Sequence, residues 1–404
     1  FQQTASAQKR ILPSHSEPAN HDSGALNNVQ AAPQVIFEQI INMGTVAWSW
    51  VEFDSVNLPS GSFVRITNLV DNEQQTLNAS QMVEWGNRTA MFNGASLKVE
   101  LVAGANTQAN RVRIANVRVS DVMLDEEPRA ICGGVDNRVA STHQAVGRWV
   151  DNGGGSCTAW MFQTGSGGTD RCFNTAGHCP PGATSGVVQF NVPNSAANCA
   201  IVAPPVADQF PILFPTITSQ NAGPGNDWAV FKCGLNSLAQ TAFQRYGTAI
   251  QLASSGITNG TAVRHIGYGV DGGTTGTACS CANPNGVANQ TRQQSDGVLS
   301  GVTTNDIQHN MDICGGDSGG VVIRVSDGLA VGNTTHDFGA NCPGSSINGG
   351  TRITQANWAA AMTACAGTIA PNDQVPAMSK EGLLLMLGFM AIAGVLVIRG
   401  RQAA

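Results

Sequence analysis

The sequence predicts an all-β protein with two β-rich parts: a small β-sandwich over residues 35–120 and a larger domain over residues 139–368. Glycine is enriched, at 47 of 404 residues, and charged residues make up only 12%, a composition typical of turn-dense β proteins. Short segments alternate apolar and polar side chains with the period of a half-buried strand. All eleven cysteines lie between Cys132 and Cys365, which sets the second part apart from the first.

Residues 1–34 are polar and show no hydrophobic period, so we expect a flexible leader there. Three alternating runs then predict antiparallel strands of the sandwich: SFVRITNLV (62–70), SLKVELVA (96–103) and RVRIANVRV (111–119). Such a sandwich, CUB-like or jelly-roll-like, often binds carbohydrate or protein. Its Trp85 and Phe92 are interpreted as core residues rather than as a ligand platform. Residues 121–138 form an acidic linker.

The cysteines indicate disulfides in an oxidising compartment rather than a metal site. The sequence contains no CxxC pair, and its closest pair is Cys279 and Cys281, so zinc binding has little support. Disulfides in an exported protein are the better interpretation, and the odd count leaves one thiol free, buried or paired with another chain. The net charge is −6 without a Lys/Arg cluster, which argues against nucleic acid as a partner. We expect neither a metal nor a cofactor.

The C-terminal region, residues 369–404, has a different composition. Gly382 to Ile398 is a run of 17 residues without a charge, followed by arginines. Seventeen residues is the lower limit for a membrane-spanning helix, and the arginines place the C-terminus on the cytoplasmic side. A membrane segment is therefore favoured over a buried core helix of the same composition. The only other helix predicted is TQANWAAAMTACAG (354–367).

Three short motifs carry the candidate chemistry: TAGHC (175–179) with His178, NDWAVF (226–231) with Asp227, and CGGDSGG (314–320) with Ser318. A serine nucleophile needs a general base, and that base needs an orienting carboxylate. The order His, Asp, Ser along the chain is that of chymotrypsin and not that of subtilisin or the α/β-hydrolases. A turn rich in glycine is the alternative interpretation of the third motif alone.

The three motifs closely resemble those of the chymotrypsin/trypsin family of serine peptidases, and the similarity in spacing extends over residues ~139–368. The resemblance implies a double β-barrel and a secreted or cell-surface serine endopeptidase whose partners are protein or peptide substrates. It implies that His178 is the general acid–base and that Asp227 orients it. The N–H groups of Gly316 and Ser318 would form the oxyanion hole.

The resemblance also implies two disulfides, Cys157–Cys179 beside the histidine and Cys314–Cys342 beside the specificity pocket. The remaining seven cysteines stay unassigned. Trypsin-like members carry an aspartate six residues before the nucleophile, and Asp312 matches that position. A buried carboxylate there selects Arg or Lys substrates.

The other wall of the specificity pocket departs from the pattern of the family. Thr335, His336 and Asp337 replace its usual small–aromatic–glycine triplet. Asp337 would strengthen a preference for basic residues or block a subsite. A solvated Asp312 that points away from the pocket, with a different preference, is the alternative.

Activation in the family places a new N-terminus beside the aspartate that precedes the nucleophile, here Asp317. The usual Ile/Val-Val-Gly-Gly start is absent, but cleavage after Arg138 would free Val139. We therefore expect either that activating cleavage or an uncleaved enzyme. In the second case an internal cation, Arg138 or Arg148, neutralises Asp317.

The tail VPAMSKEGLLLMLGF…IRGR (375–401) is similar to IPTL-type sorting tails of Gram-negative bacteria. The similarity implies export, inner-membrane retention through this helix and processing by a sorting protease; a permanent single-span anchor is the alternative. A removed secretory signal is expected in such a protein. The rival function is a catalytically silent binding protein that uses the sandwich, with the barrel as a scaffold.

Overall fold

The computed structural model describes residues 6–7, 10–121, 129–130, 136–163, 171–196, 200–270, 288–337 and 348–367. The chain divides into a unit Phe1–Ala366 and a unit Gly367–Ala404, and the fold below belongs to the first. The predicted C-terminal membrane helix lies outside the described residues. Within those ranges no helix has the length and apolar character needed to cross a bilayer.

The N-terminal part is a sandwich of two antiparallel sheets. The first eleven strands and helix α1 are Ser6–Ala7 (β1), Arg10–Ile11 (β2), Ser14–Asp22 (β3), Leu26–Asn28 (β4), Gln34–Asn42 (β5), Trp48–Asn57 (β6), Phe63–Asn68 (β7), Gln74–Leu77 (β8), Ala79–Glu84 (α1), Phe92–Asn93 (β9), Ser96–Ala103 (β10) and Thr107–Ser120 (β11). The sheets run β5-β10-β7-β8 and β3-β11-β6-β9. Their inward faces share one apolar core that includes Trp85 and Phe92, each 2% exposed. The three predicted strands and the core interpretation of both aromatic residues are therefore confirmed.

The flexible leader expected over residues 1–34 is wrong for its described part. Strand β3 pairs antiparallel with β11, from Ser14↔Ser120 to Asp22↔Arg113. The Asp22 carboxylate also accepts a hydrogen bond from Arg111 at 2.6 Å. An edge strand is held by backbone hydrogen bonds and needs little apolar burial. A polar sequence can therefore be fully ordered there.

Six strands of the next segment close into a barrel. The elements of this segment of the chain are Arg129–Ala130 (β12), Val139–Ala140 (β13), Val146–Asp151 (β14), Gly155–Gln163 (β15), Cys172–Thr175 (β16), Gly186–Gln189 (β17), Gln209–Asn221 (β18), Asp227–Cys233 (β19), Ala242–Tyr246 (α2) and Ile250–Gln251 (β20), with a 3-10 turn at Val206–Asp208. The barrel order is β14-β17-β18-β19-β16-β15, and β15 pairs back onto β14. Aromatic contacts fill its interior: the Phe231 ring lies 5.1 Å from Trp149 and 5.5 Å from Phe173.

A second set of strands forms a half-barrel. They are Ala262–Gly267 (β21), Gln293–Val302 (β22), Asp306–His309 (β23), Ile313–Cys314 (β24), Val321–Arg324 (β25), Ala330–Asn333 (β26), His336–Asp337 (β27) and Asn348–Thr351 (β28). Seven of them form one sheet in the order β27-β28-β23-β22-β21-β25-β26, and the eighth, β24, pairs with β12. The predicted fold class, a trypsin-like double β-barrel preceded by a β-sandwich, is confirmed.

The chain then returns to the first barrel as helix α3, Ala356–Gly367, which confirms the helix predicted there. Trp358 is fully buried, and its Nε1–H donates to Asn174 Oδ1 at 2.8 Å. Cys365 forms a disulfide with Cys172, 193 residues earlier. Two disulfides in the described chain indicate an exported protein.

The sandwich and the first barrel share an apolar boundary. Val150 and Val187 of the barrel belong to the same apolar cluster as the sandwich core. The Gln209 side chain accepts from the Met91 N–H at 3.0 Å and donates to the Met91 carbonyl at 2.7 Å. Part of the expected linker, Arg129–Ala130, is itself a strand that pairs with β24. Residues 122–128 and 131–135 of that linker lie outside the described ranges.

Candidate active site

His178 lies between the other two predicted site residues. Its Nδ1 is 2.6 Å from Asp227 Oδ2, and its Nε2 is 2.8 Å from Ser318 Oγ. The His178 backbone N–H also donates to Asp227 Oδ1 at 2.9 Å. The structure therefore brings His178 together with Asp227, 49 positions away, and Ser318, 140 positions away. Each ring nitrogen of His178 faces one of these two partners.

The first barrel fixes His178 and Asp227. His178 follows β16, and the next residue, Cys179, is bridged to Cys157 of β15. Asp227 begins β19 and is 0% exposed. The Thr351 hydroxyl lies between its backbone groups, accepting from the Asp227 N–H at 3.0 Å and donating to its carbonyl at 2.9 Å. A buried carboxylate on such a fixed backbone can hold a histidine in one orientation.

Ser318 lies in a tight loop that requires glycine. Gly319 has φ +83°, and a Cβ added there would lie 2.3 Å from the Thr158 carbonyl oxygen. The carbonyl of Ser318 accepts from the Thr158 N–H at 2.8 Å. The loop is thus pressed against β15, and an L side chain at Gly319 has neither the space nor the backbone conformation.

The two expected oxyanion donors remain available. Gly316 has φ +98°, and its carbonyl accepts from the Thr158 hydroxyl at 2.9 Å. Its N–H and that of Ser318 donate to no group within the described ranges. Two neighbouring N–H groups beside a serine hydroxyl can bind a developing oxyanion.

His336 lies closer to the candidate triad than the sequence indicated. Its Nδ1 is 3.7 Å from Asp227 Oδ2, and its ring centroid is 6.0 Å from that of His178. The Thr335 hydroxyl is 2.7 Å from the same Nδ1. Burial lowers the pKa of His336, and the Asp227 carboxylate opposes this effect. The sequence assigned His336 to the wall of the specificity pocket, but no motif indicated that its ring would approach Asp227.

Asp312 is 3% exposed, and its Oδ2 accepts from the Asn137 N–H at 2.8 Å. Asp337 is also buried, on the two-residue strand β27. Residues 338–347, which follow β27 and would continue this wall, lie outside the described ranges, as does Cys342. The implied Cys314–Cys342 disulfide therefore falls outside them, while the implied Cys157–Cys179 bond is present.

Arg138, and not Arg148, reaches the aspartate before the nucleophile. Its Nη1 is 3.5 Å from Asp317 Oδ2, and its Nη2 is 2.7 Å from Asp136 Oδ2. Arg148 instead donates to Gln189 Oε1 at 2.7 Å. Burial raises the pKa of Asp317 to about 6, although the Arg138 guanidinium and two backbone N–H groups oppose the rise.

Val139, the residue after Arg138, is 58% exposed and pairs with Gln294 as part of β13. In the intact chain the Arg138 guanidinium is the cation beside Asp317, and cleavage after Arg138 stays a prediction.

The side chains of Cys157, His178 and Cys179 lie close enough together to be considered as metal ligands. Both sulfur atoms, however, are bonded to each other. A disulfide sulfur is not a thiolate and does not ligate zinc. The histidine is also engaged on both nitrogens by Asp227 and Ser318. This cluster is therefore not a metal centre.

No family model and no curated protein matches the sequence. Solved structures that resemble it include a Glu endopeptidase, with 16% identity, TM-score 0.42, and coverage of 58% of this chain and 99% of that chain. The protease Anisep from Arthrobacter nicotinovorans has 16% identity and TM-score 0.41, covering 56% of this chain and 99% of the other. Human heparin binding protein has 15% identity and TM-score 0.39, covering 56% and 95%.

Proposed function

We propose that this chain is an exported serine endopeptidase that cleaves peptide bonds with Ser318, His178 and Asp227. The observation that supports the proposal is the imidazole of His178, which lies within hydrogen-bonding distance of both Asp227 and Ser318. A storage or scaffold role for a barrel does not require such an alignment of three separate segments. The 2.8 Å distance from Nε2 to Oγ suits proton transfer from a nucleophilic hydroxyl.

In the proposed mechanism, Ser318 Oγ attacks the scissile carbonyl carbon while His178 Nε2 takes its proton. The carbonyl oxygen becomes an oxyanion that accepts from the N–H groups of Gly316 and Ser318. His178 then returns the proton to the leaving amine, and water hydrolyses the acyl-enzyme by the same steps. The Asp227 carboxylate stabilises the charged imidazole.

We further propose a preference for Arg or Lys before the scissile bond, through Asp312. Asp312 is 3% exposed, and its Oδ2 accepts from the Asn137 N–H at 2.8 Å. A substrate cation would pair with this buried negative charge. Asp337 would add negative charge on the neighbouring strand. Arg138 would take the role of the activating cation beside Asp317, and the tail at residues 375–404 would tether the enzyme to the membrane.

The test is a panel of peptides that differ only in the residue before the scissile bond, with a serine-directed fluorophosphonate as a probe of Ser318. We expect labelling of the full chain that is lost in both Ser318→Ala and His178→Ala, and turnover of Arg and Lys peptides. Asp312→Asn should reduce that turnover selectively. Labelling with turnover of other peptides would refute the specificity and leave the peptidase. Absence of both labelling and turnover, in the full chain and in a chain without residues 1–7, would favour the binding-protein alternative.

A further inference from the structure

We infer that the backbone segments 6–7 and 10–11 of this chain lie along its own substrate-binding cleft and restrain its activity in cis. The inference rests on the proposed function for the meaning of the cleft, but the backbone pairing that carries it is independent of any activity. Two short strands, β1 and β2, flank residues 8–9, which lie outside the described ranges. Each of these strands pairs with a different barrel.

On one side, β1 pairs antiparallel with β27, with Ser6 opposite Asp337 and Ala7 opposite His336. Strand β27 lies beside the candidate triad, because His336 Nδ1 is 3.7 Å from Asp227 Oδ2. It also ends its sheet on the path β27-β28-β23, so β1 adds a strand at an edge. An extended peptide that adds to a sheet edge is a common mode of peptide recognition.

On the other side, β2 pairs antiparallel with β15, with Arg10 opposite Ser156 and Ile11 opposite Gly155. This part of β15 leads directly to Thr158, whose N–H donates to the Ser318 carbonyl. Arg10 is 1% exposed, and its Cβ is 3.7 Å from the position that a Cβ would have on Gly316. The segment therefore lies against the expected oxyanion loop.

The two pairings together place one chain on both sides of Ser318. Ala7 and Arg10 are three residues apart, and an extended chain covers at most about 10 Å over that interval. The strands that hold them come from different barrels and converge on the same serine. A substrate must likewise be extended across this point, with backbone partners before and after the scissile bond.

The sandwich keeps the segment in place. The Leu12 N–H donates to the Gly154 carbonyl at 2.6 Å, and the Leu12 side chain is part of the sandwich core. Strand β3 begins two residues later, at Ser14. A segment tethered this closely has a high effective concentration at the cleft.

The test compares the full chain with Ala7→Pro and the matched control Ala7→Ser. Proline removes the backbone N–H and restricts the preceding residue, which weakens β1, whereas serine keeps the N–H. The first readout is hydrogen exchange of the amides at 336–337 and 155–156 in chains that also carry Ser318→Ala. The second is the rate at which a fluorophosphonate labels Ser318. A chain without residues 1–7 serves as a second disruption of β1.

We expect Ala7→Pro and the shortened chain to exchange faster at 336–337 and to be labelled about tenfold faster or more, as when a mostly closed state is opened. Ala7→Ser should match the parent chain. Unchanged exchange would overturn the pairing, and faster exchange with equal labelling would overturn the restraint. Faster exchange without labelling of any chain would support the occupied cleft and refute the peptidase.

Discussion

Arg138 Nη1 lies 3.5 Å from Asp317 Oδ2, and each side chain is 1% exposed. The same guanidinium reaches Asp136, so one buried cation serves two carboxylates. Asp317 in turn accepts from the Cys314 N–H at 2.8 Å, directly before the loop that holds Ser318. The position of the nucleophile loop is thereby coupled to Arg138, which precedes the first barrel.

Replacing Arg138 should therefore destabilise the protein strongly. Arg138→Met leaves the buried Asp317 and the half-buried Asp136 without their cation, and loss of one partner of a buried pair typically costs about 3–5 kcal/mol of unfolding free energy. Arg264→Met is the matched control, because its partner Asp296 is exposed and a surface pair contributes about 0–1 kcal/mol. Urea unfolding of both variants measures the difference. Equal losses would show that Arg138 contributes no more than a surface pair.

Asp227→Asn should reduce peptide hydrolysis by about 10⁴-fold, because the amide favours the wrong tautomer of His178. The fold should persist, since the Thr351 hydroxyl holds the backbone rather than the carboxylate. Measured kcat with a fixed peptide checks this, with far-ultraviolet circular dichroism as the control. The double variant with Ser318→Ala should be no slower than Ser318→Ala alone, since the three residues act as a unit. A further loss in the double variant would contradict that view.

Asp306 gives a prediction for stability against pH. Burial raises the pKa of Asp306 to about 6, against the smaller opposing effect of a hydrogen bond from Gln308. The folded chain therefore binds more protons than the unfolded chain between about pH 4 and pH 6. The contribution of this group to the free energy of unfolding is present below that window and is lost as the pH rises through it.

Asp306→Asn removes this titration. The difference in unfolding free energy, variant minus parent, should be about 1–2 kcal/mol larger at pH 7 than at pH 4. This range allows for partial exposure of the carboxyl. Urea unfolding at both pH values measures the change. Asp54→Asn, at an exposed site, controls for loss of one negative charge. An equal change in unfolding free energy at both pH values would contradict the raised pKa of Asp306.

The two disulfides should differ in their consequences. Loop closure over 193 residues stabilises more than closure over 22, by about 5 against 3 kcal/mol in the chain-entropy model. The double replacement Cys172→Ser/Cys365→Ser should lower stability more, whereas Cys157→Ser/Cys179→Ser should lower activity more because it frees the residue after His178. Denaturant midpoints and peptide turnover separate the two effects. The reverse order of stabilities would contradict the loop-length argument.

The sequence allowed prediction of the parts whose chemistry is local. Short motifs identified His178, Asp227 and Ser318, and alternation identified strands such as Ser96–Ala103, because side-chain period follows directly from strand geometry. That His178, Asp227 and Ser318 would lie side by side was implied by the resemblance to the chymotrypsin/trypsin family. The pattern of residues alone did not predict it.

Long-range backbone pairing could not be predicted in the same way. Strand β3 has a polar sequence and is held by hydrogen bonds to β11, which leave no hydrophobic signature. The pairing of β1 with β27 joins residues more than 300 positions apart. The proximity of His336 to Asp227 likewise depends on where β27 ends, which no local pattern encodes.

The bond between Cys172 and Cys365 has a consequence for biosynthesis. The first barrel supplies Cys172, but its partner is made only after the entire second barrel has been translated. Trp358, which caps the same barrel through Asn174, is equally late. The first barrel can therefore acquire this disulfide only after almost the whole chain has been synthesised. Chains that stop early carry an unpaired thiol in an exposed, incomplete barrel, a state that quality control in an oxidising compartment can distinguish from the finished protein.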